Sequence, residues 1–160
     1  MSTSYPLHKI KVVLFESIHE RGAEIFHKAG YTVERYDVAF AGDELVEKIA
    51  DAHIIGIRSK TKVTADVLAR APRLMGIGCF CIGTNQVDLA AAAAAGVPVF
   101  NEAFSNTRSV AEKVIAEIIV LHRKLFQRSS EMHQGLWKKS AIGSHEIRGR
   151  TLGIIGYGRI

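Results

Sequence analysis

The feature that most restricts the possible folds is an alternation of strand-like and helix-like segments. Residues 10–15 (IKVVLF) form a β-branched run bounded by polar residues. Ser17-Ile18-His19-Glu20 behind them has the S-x-x-E spacing of a capping box that starts a helix. Gly30 marks the end of that helix. Residues 31–36 (YTVERY) alternate like a half-exposed strand, residues 43–50 (DELVEKIA) place apolar side chains at helical spacing, and residues 53–57 (HIIGI) read as a strand again. A helix over 65–71 behind Thr64, a strand over 74–77, a helix over 87–95 through six consecutive alanines, and a strand over 97–100 continue the order. Gly96 stops the last of these helices.

Parallel strands need crossover connections, so this order predicts a doubly wound, mostly parallel sheet of about five strands with helices on both faces. The expected fold class is α/β and flavodoxin-like, over residues 8–104. Pro98 lacks an N–H and belongs on an edge strand or at the first position of one.

A second capping box, Ser109-Val110-Ala111-Glu112, opens a helix expected to run to about residue 127. Its apolar residues cover more than one stripe, which predicts burial on several sides. Residues 128–150 read as a polar, glycine-dotted loop. Residues 152–155 are a short apolar run that reads as a buried parallel strand and feeds Gly156-Tyr157-Gly158-Arg159-Ile160, the opening of G-x-G-x-x-G. In that fingerprint the first glycine makes a tight turn and the second lets the backbone approach a pyrophosphate.

Composition narrows the function classes. A chain of 160 residues, 48% hydrophobic and 23% charged, is long enough for one well-buried core. Its net charge of +5 is spread with no basic run longer than two, so nucleic-acid binding has only the pI behind it, and a basic cleft for an anionic small molecule explains the charge as well. The longest uncharged apolar stretch, residues 89–100, is too short to span a bilayer, and a soluble cytoplasmic protein is expected. Cys79 and Cys81 read as buried thiols at a strand end, not as a disulfide or a metal pair. The seven histidines show no metal spacing and no triad arrangement; no metal is expected.

In doubly wound sheets ligands sit outside the carboxyl ends of the strands. Arg58-Ser59-Lys60-Thr61 follows one strand with two cations and two hydroxyls, suited to a phosphate or carboxylate or simply a solvated polar loop. Residues 78–85 (GCFCIGTN) follow the next, where backbone N–H groups could converge on an anion or Asn85 could cap a helix. Residues 101–108 (NEAFSNTR) follow the last.

Residues 55–61 (IGIRSKT), 77–89 (IGCFCIGTNQVDL), 104–112 (FSNTRSVAE), 135–138 (GLWK) and 152–160 (LGIIGYGRI) closely resemble the D-isomer-specific 2-hydroxyacid dehydrogenase family, and 77–89 its phosphoglycerate dehydrogenase branch. The resemblance implies a substrate domain over residues 1–106 and, over 107–160, a linker helix and the first strand of a truncated Rossmann NAD domain. It implies hydride transfer between 3-phosphoglycerate and NAD, giving 3-phosphohydroxypyruvate in L-serine biosynthesis. Carried over, Arg58, Ser59, Lys60, Ile82 and Gly83 would bind substrate, and Gly156, Gly158, Arg159 and Ile160 the NAD pyrophosphate. The family's catalytic arginine, glutamate and histidine have no counterpart here. The chain is therefore expected to be an N-terminal fragment, inactive alone, of an enzyme that is a homo-oligomer. Another NAD-dependent D-2-hydroxyacid dehydrogenase, or a non-catalytic anion-binding or interaction domain, remain the alternatives.

Overall fold

The computed structural model describes residues 5–158. The chain divides into two compact units, Met1–Ala103 and Phe104–Ile160. In the first unit the order is β1 (Lys11–Leu14), α1 (Glu20–Lys28), β2 (Thr32–Arg35), α2 (Gly42–Ile49), β3 (Ile54–Ile57), α3 (Ala65–Ala69), β4 (Gly76–Cys79), α4 (Leu89–Ala94) and β5 (Val99–Asn101). The strands make one five-stranded sheet in the order β2-β1-β3-β4-β5, and every pairing is parallel. This is the expected doubly wound, flavodoxin-like arrangement, with the strand order reversing between β1 and β3.

The sheet carries a core on each face. Phe15, Leu45, Ile49, Ile55, Ile57, Val67 and Ile77 belong to the larger cluster, to which α2, α3 and α4 contribute, while Val12, Leu14, Ile18 and Ala23 form the smaller one around α1. Val12, Val13 and Leu14 are consecutive and almost wholly covered, as expected of a parallel strand buried on both faces. Pro98 immediately precedes the edge strand β5, and its carbonyl accepts from Ile77 N at 3.0 Å.

Several expected boundaries move. β4 starts at Gly76 rather than Leu74, because Leu74 N turns back to the Ala71 carbonyl and the ladder with β3 begins at Gly76 opposite Ile54. Ser17 does not cap α1. It has a left-handed backbone (φ 52°) and its hydroxyl donates to the Asp37 carbonyl, while the ring Nδ1 of His19 accepts from Arg21 N. The cap of α4 is Asp88, whose Oδ1 accepts from Ala91 N, rather than Asn85. Cys79 is buried but Cys81 is only half-buried, because β4 ends at Cys79 and the chain leaves the sheet there.

The second unit holds α5 (Thr107–His122) and α6 (Leu125–His133). Ser109 lies inside the first turn of α5 rather than at its cap, and the helix stops before residue 127 because Lys124 adopts a left-handed conformation (φ 56°) between the two helices. The covering expected for this helix, as between domains or subunits, is not supplied within this chain: Val114, Ile115 and Leu121 are 44%, 53% and 67% exposed. The expected strand over 152–155 is not formed either. A parallel strand needs a neighbour for its N–H and C=O groups, and no strand occurs among the described residues of this unit. No helix among the described residues is long and apolar enough to cross a membrane.

Candidate anion site at the carboxyl edge of the sheet

In a parallel sheet every strand delivers its following residue to the same edge. Here β1 delivers Glu16, β3 delivers the loop Arg58–Thr61, β4 delivers Cys81–Gly83, and β5 ends at Asn101. Glu16 is only 7% exposed, and its carboxylate accepts three backbone N–H groups of the β3 loop: Arg58 N at 3.0 Å and Thr61 N at 2.9 Å on Oε1, and Lys60 N at 2.9 Å on Oε2. The carbonyl of Glu16 also accepts from Arg58 Nη1 at 3.3 Å. Burial works against the charged carboxylate, but the hydrogen bonds from Thr61, Lys60 and Arg58 outweigh it and hold Glu16 below the usual carboxylate range.

Glu16 reaches this position through strain. It and Ser17 are consecutive non-glycine residues in the left-handed region, at φ 60° and 52°, a conformation that costs about 1–2 kcal/mol per residue.

Gln86 ties the two loops together. It is 3% exposed, and its Nε2 donates to the Arg58 carbonyl at 2.8 Å, the Gly83 carbonyl at 3.1 Å and Cys81 Sγ at 3.2 Å. The backbone supports this link, since Val63 N donates to the Gln86 carbonyl and Asp88 N to the Val63 carbonyl, both at 2.9 Å. From β5, Asn101 Nδ2 donates to the Ile82 carbonyl at 2.7 Å.

Arg58, Ser59, Lys60, Ile82 and Gly83 are thus brought to one edge by one hydrogen-bond network. Within the two loops, the N–H groups of Ser59, Ile82 and Gly83 meet no acceptor among the described residues, and neither Arg58 nor Lys60 is in an ion pair there. Backbone donors and cationic residues delivered to the same edge are the chemistry that a site for a small anion would need. A Cβ on Gly83 would meet only Asn85 Oδ1, at 2.9 Å, the end of an exposed side chain that can move aside.

Two contributors were missed in the sequence. Glu16 follows the first strand directly, which makes it an acidic residue at a strand's carboxyl end, but that stretch read only as a helix start. Gln86 directly follows the segment 78–85, which read as backbone donors and a cap, and was itself assigned no role. Cys79 takes no part in the site: burial, with the neighbouring Cys81 adding a smaller effect, pushes its thiol up to about 11. Among the described residues no histidine joins the network. His53 lies at the opposite edge, where its Nδ1 accepts from Lys11 N at 3.1 Å.

The other proposed set is less assembled. Gly156 (φ 87°) and Gly158 lie in an exposed irregular segment of the second unit, and a Cβ at either would meet nothing within 4 Å. Arg159 and Ile160 lie outside the described residues. A strand-to-helix anion cradle is not formed around these glycines among the described residues.

Residues 12–151 match the catalytic domain of the D-isomer specific 2-hydroxyacid dehydrogenases. The chain belongs to that family. Among curated relatives it is 58% identical over 153 residues to a D-3-phosphoglycerate dehydrogenase of Haemophilus influenzae, covering 95% of this chain and 37% of that protein. It is 55% identical over 159 residues to the enzyme of the same name from Dictyostelium discoideum, covering 99% and 39%. The chain therefore spans under two fifths of the length of these relatives. Among solved structures, an NAD-dependent formate dehydrogenase from Staphylococcus aureus in complex with NAD superimposes with a TM-score of 0.77 at 25% identity, covering 94% of this chain and 50% of that one. A D-lactate dehydrogenase from Aquifex aeolicus complexed with NAD and lactic acid gives 0.75 at 25% identity, covering 92% and 45%. As a 2-hydroxyacid dehydrogenase domain, the first unit has its candidate anion site where such a sheet binds its ligand, outside the carboxyl ends of the strands.

Proposed function

We propose that the chain is part of an NAD-dependent D-3-phosphoglycerate dehydrogenase, in which residues 1–106 bind the substrate and residues 107–160 begin the NAD-binding domain. The single observation that carries the substrate side is the pair of loops at the sheet edge, with unengaged N–H groups at Ser59, Ile82 and Gly83 beside the Arg58 and Lys60 side chains. A 2-hydroxy acid with a phosphate has two anionic ends. Ile82 and Gly83 receive its carboxylate, and Arg58, Ser59 and Lys60 its other anionic group, each charge-assisted bond contributing about 1.5–3 kcal/mol.

Holding both ends fixes the C2 carbon between them, and such positioning lowers the entropic part of the barrier. Bound NAD would supply the hydride acceptor for oxidation at C2, giving 3-phosphohydroxypyruvate, and Gly156 and Gly158, with Arg159 and Ile160, would hold its pyrophosphate. The C2 hydroxyl must also lose a proton, and a positioned base contributes about 10²–10⁴ in rate. The network described above contains no histidine to take it, so this unit binds and orients the substrate while proton transfer falls to other residues of the enzyme. The complete enzyme is proposed to be a cytoplasmic homo-oligomer, a reading supported by the exposed apolar residues of the second unit.

The test is a calorimetric titration of the chain with 3-phosphoglycerate and with D-lactate, which lacks the phosphate. Binding of the first at least about tenfold tighter is expected from one lost charge-assisted contact. Equal affinities would point instead to a relative that acts on an unphosphorylated 2-hydroxy acid, and binding of neither would remove the substrate-site reading.

A further inference from the structure

We propose that Glu16 and Gln86 are the positioning residues of this anion site: Glu16 occupies the β3 loop's own anion nest, and Gln86 locks that loop to the β4 loop. The inference rests on the substrate-site reading above and adds how the site is held.

Four successive N–H groups, from Arg58 to Thr61, would ordinarily make the loop a nest for an external anion. Glu16 takes three of them, leaving Ser59 as the one without an acceptor among the described residues. The substrate anion therefore meets a single loop N–H and the two cationic side chains, rather than a ring of backbone donors. The left-handed backbone of Glu16 lets its carboxylate and carbonyl hold Arg58 twice, at the backbone N–H and at the guanidinium. Strain at a residue that touches a candidate site is an observation from which a functional role follows.

Gln86 does the corresponding work between loops. Its buried amide donates to a carbonyl of each, Arg58 at 2.8 Å and Gly83 at 3.1 Å, and with the Cys81 Sγ contact to the Arg58 carbonyl at 3.6 Å it holds the spacing from Ser59 to Ile82 and Gly83. Binding to loops already held at the right separation avoids the entropy of ordering them. Neither residue needs to touch the substrate.

The experiment uses the whole 160-residue chain, isotopically labelled, with 3-phosphoglycerate as the probe and amide spectra as the readout. In Glu16→Gln the amide oxygen can keep two of the three bonds while the new NH2 faces a backbone N–H. Expected are faster hydrogen exchange at one or more of Arg58, Lys60 and Thr61 with strand amides unchanged, affinity lower by about tenfold for the loss of one charge-assisted contact, and loss of the ligand-induced shift at Ser59 while those at Ile82 and Gly83 persist. Gln86→Met should keep Glu16's hold on the loop and weaken binding by a similar factor.

A purely structural role would lower the thermal midpoint and leave affinity unchanged well below it. A folded Glu16→Gln chain that binds like the unsubstituted one overturns the proposal. Should that variant fail to fold, unchanged affinity in Gln86→Met overturns it. If the unsubstituted chain shows no ligand-induced shift at Ser59, Ile82 or Gly83, the substrate-site reading fails first and takes this inference with it.

Discussion

The two units use the same kinds of apolar residue to opposite effect. In the first, Val12, Val13, Phe15, Leu45, Ile49, Ile55 and Ile57 are all 0% exposed. In the second, Ile119, Ile115 and Ile154 are 38%, 53% and 66% exposed, and none of the described residues from 104 onward is buried. What differs is the supply of partners. Each strand of the first unit has a neighbour that takes up its N–H and C=O groups, so the sheet closes and helices can cover it. Apolar content makes a core only where other elements supply the surface that covers it.

The strongest way to break that comparison is to truncate one side chain from each region. Phe15 lies at the centre of the first unit, stacked on Tyr36 at a 5.6 Å centroid distance and edge-on to Phe40 at 5.8 Å. Phe15→Ala should cost about 3–5 kcal/mol in urea unfolding. Ile155, which is fully exposed, should change stability by no more than about 0.5 kcal/mol on replacement by Ala. Comparable losses would mean that the second unit hides a core.

Two glycines sharpen the contrast. A Cβ on Gly56 would lie 2.5 Å from Leu14 Cδ2, 2.9 Å from Phe80 Cε2 and 3.2 Å from Ile18 Cδ1, whereas one on Gly153 would meet nothing within 4 Å. Gly56→Ala should therefore destabilise by about 1–3 kcal/mol through overpacking, while Gly153→Ala should be silent. Thermal unfolding of the pair would decide it.

The same asymmetry governs what could be read in the sequence. The first unit was legible because runs such as 10–15 and 53–57 carry strand periodicity whose partners are also in the chain, so local pattern and final topology agree. Gly76 and Gly78 misplaced β4 because residues without a Cβ give no apolar signal. Nothing steric demands glycine at either position, since a Cβ on Gly78 would meet Phe80 Cε2 at an ordinary 3.4 Å and one on Gly76 only the Pro98 carbonyl at 4.0 Å. The run 152–155 failed for the opposite reason: its pattern is strand-like, but pairing is a property of two segments. In the site, cations and glycines announced themselves by type. Glu16 and Gln86 did not, since their role lies in contacts across 45 and 28 residues of chain.

Acid should separate the regions next. The folded-state pKa of Glu16 is depressed, so its contribution to stability is full above the unfolded-state value and is lost as pH falls through the folded one. At neutral pH, Glu16→Gln should cost about 1–3 kcal/mol by leaving a buried donor unsatisfied. The gap between the two chains in urea unfolding should close as the pH is lowered through that window. A gap that stays constant to low pH would mean the carboxylate charge is not what holds the loop.

Helix starts give a smaller effect. Asp88 Oδ1 accepts from Ala91 N at 2.9 Å, and Asp88→Ala should lose about 1 kcal/mol. Asn106 stands at the start of α5 with no side-chain cap bond, and Asn106→Ala should be close to neutral in the same unfolding measurement.

The smallest effect is expected on the surface of α5, where Arg108 Nε meets Glu112 Oε1 at 2.8 Å with the two side chains 91% and 68% exposed. At that exposure solvent and salt screen the attraction, and ordering two long side chains offsets much of what is left. Arg precedes Glu in this i,i+4 pair, the less favourable order against the helix dipole. Glu112→Gln should therefore change helix content, followed by far-ultraviolet circular dichroism against temperature, by an amount equivalent to no more than about 0.5 kcal/mol, and added salt should erase the difference. A larger, salt-resistant loss would place this pair in a protected environment and make α5 part of a covered surface. Its 16 residues would then behave like those of the first unit, with burial supplied by a partner surface instead of a neighbouring strand.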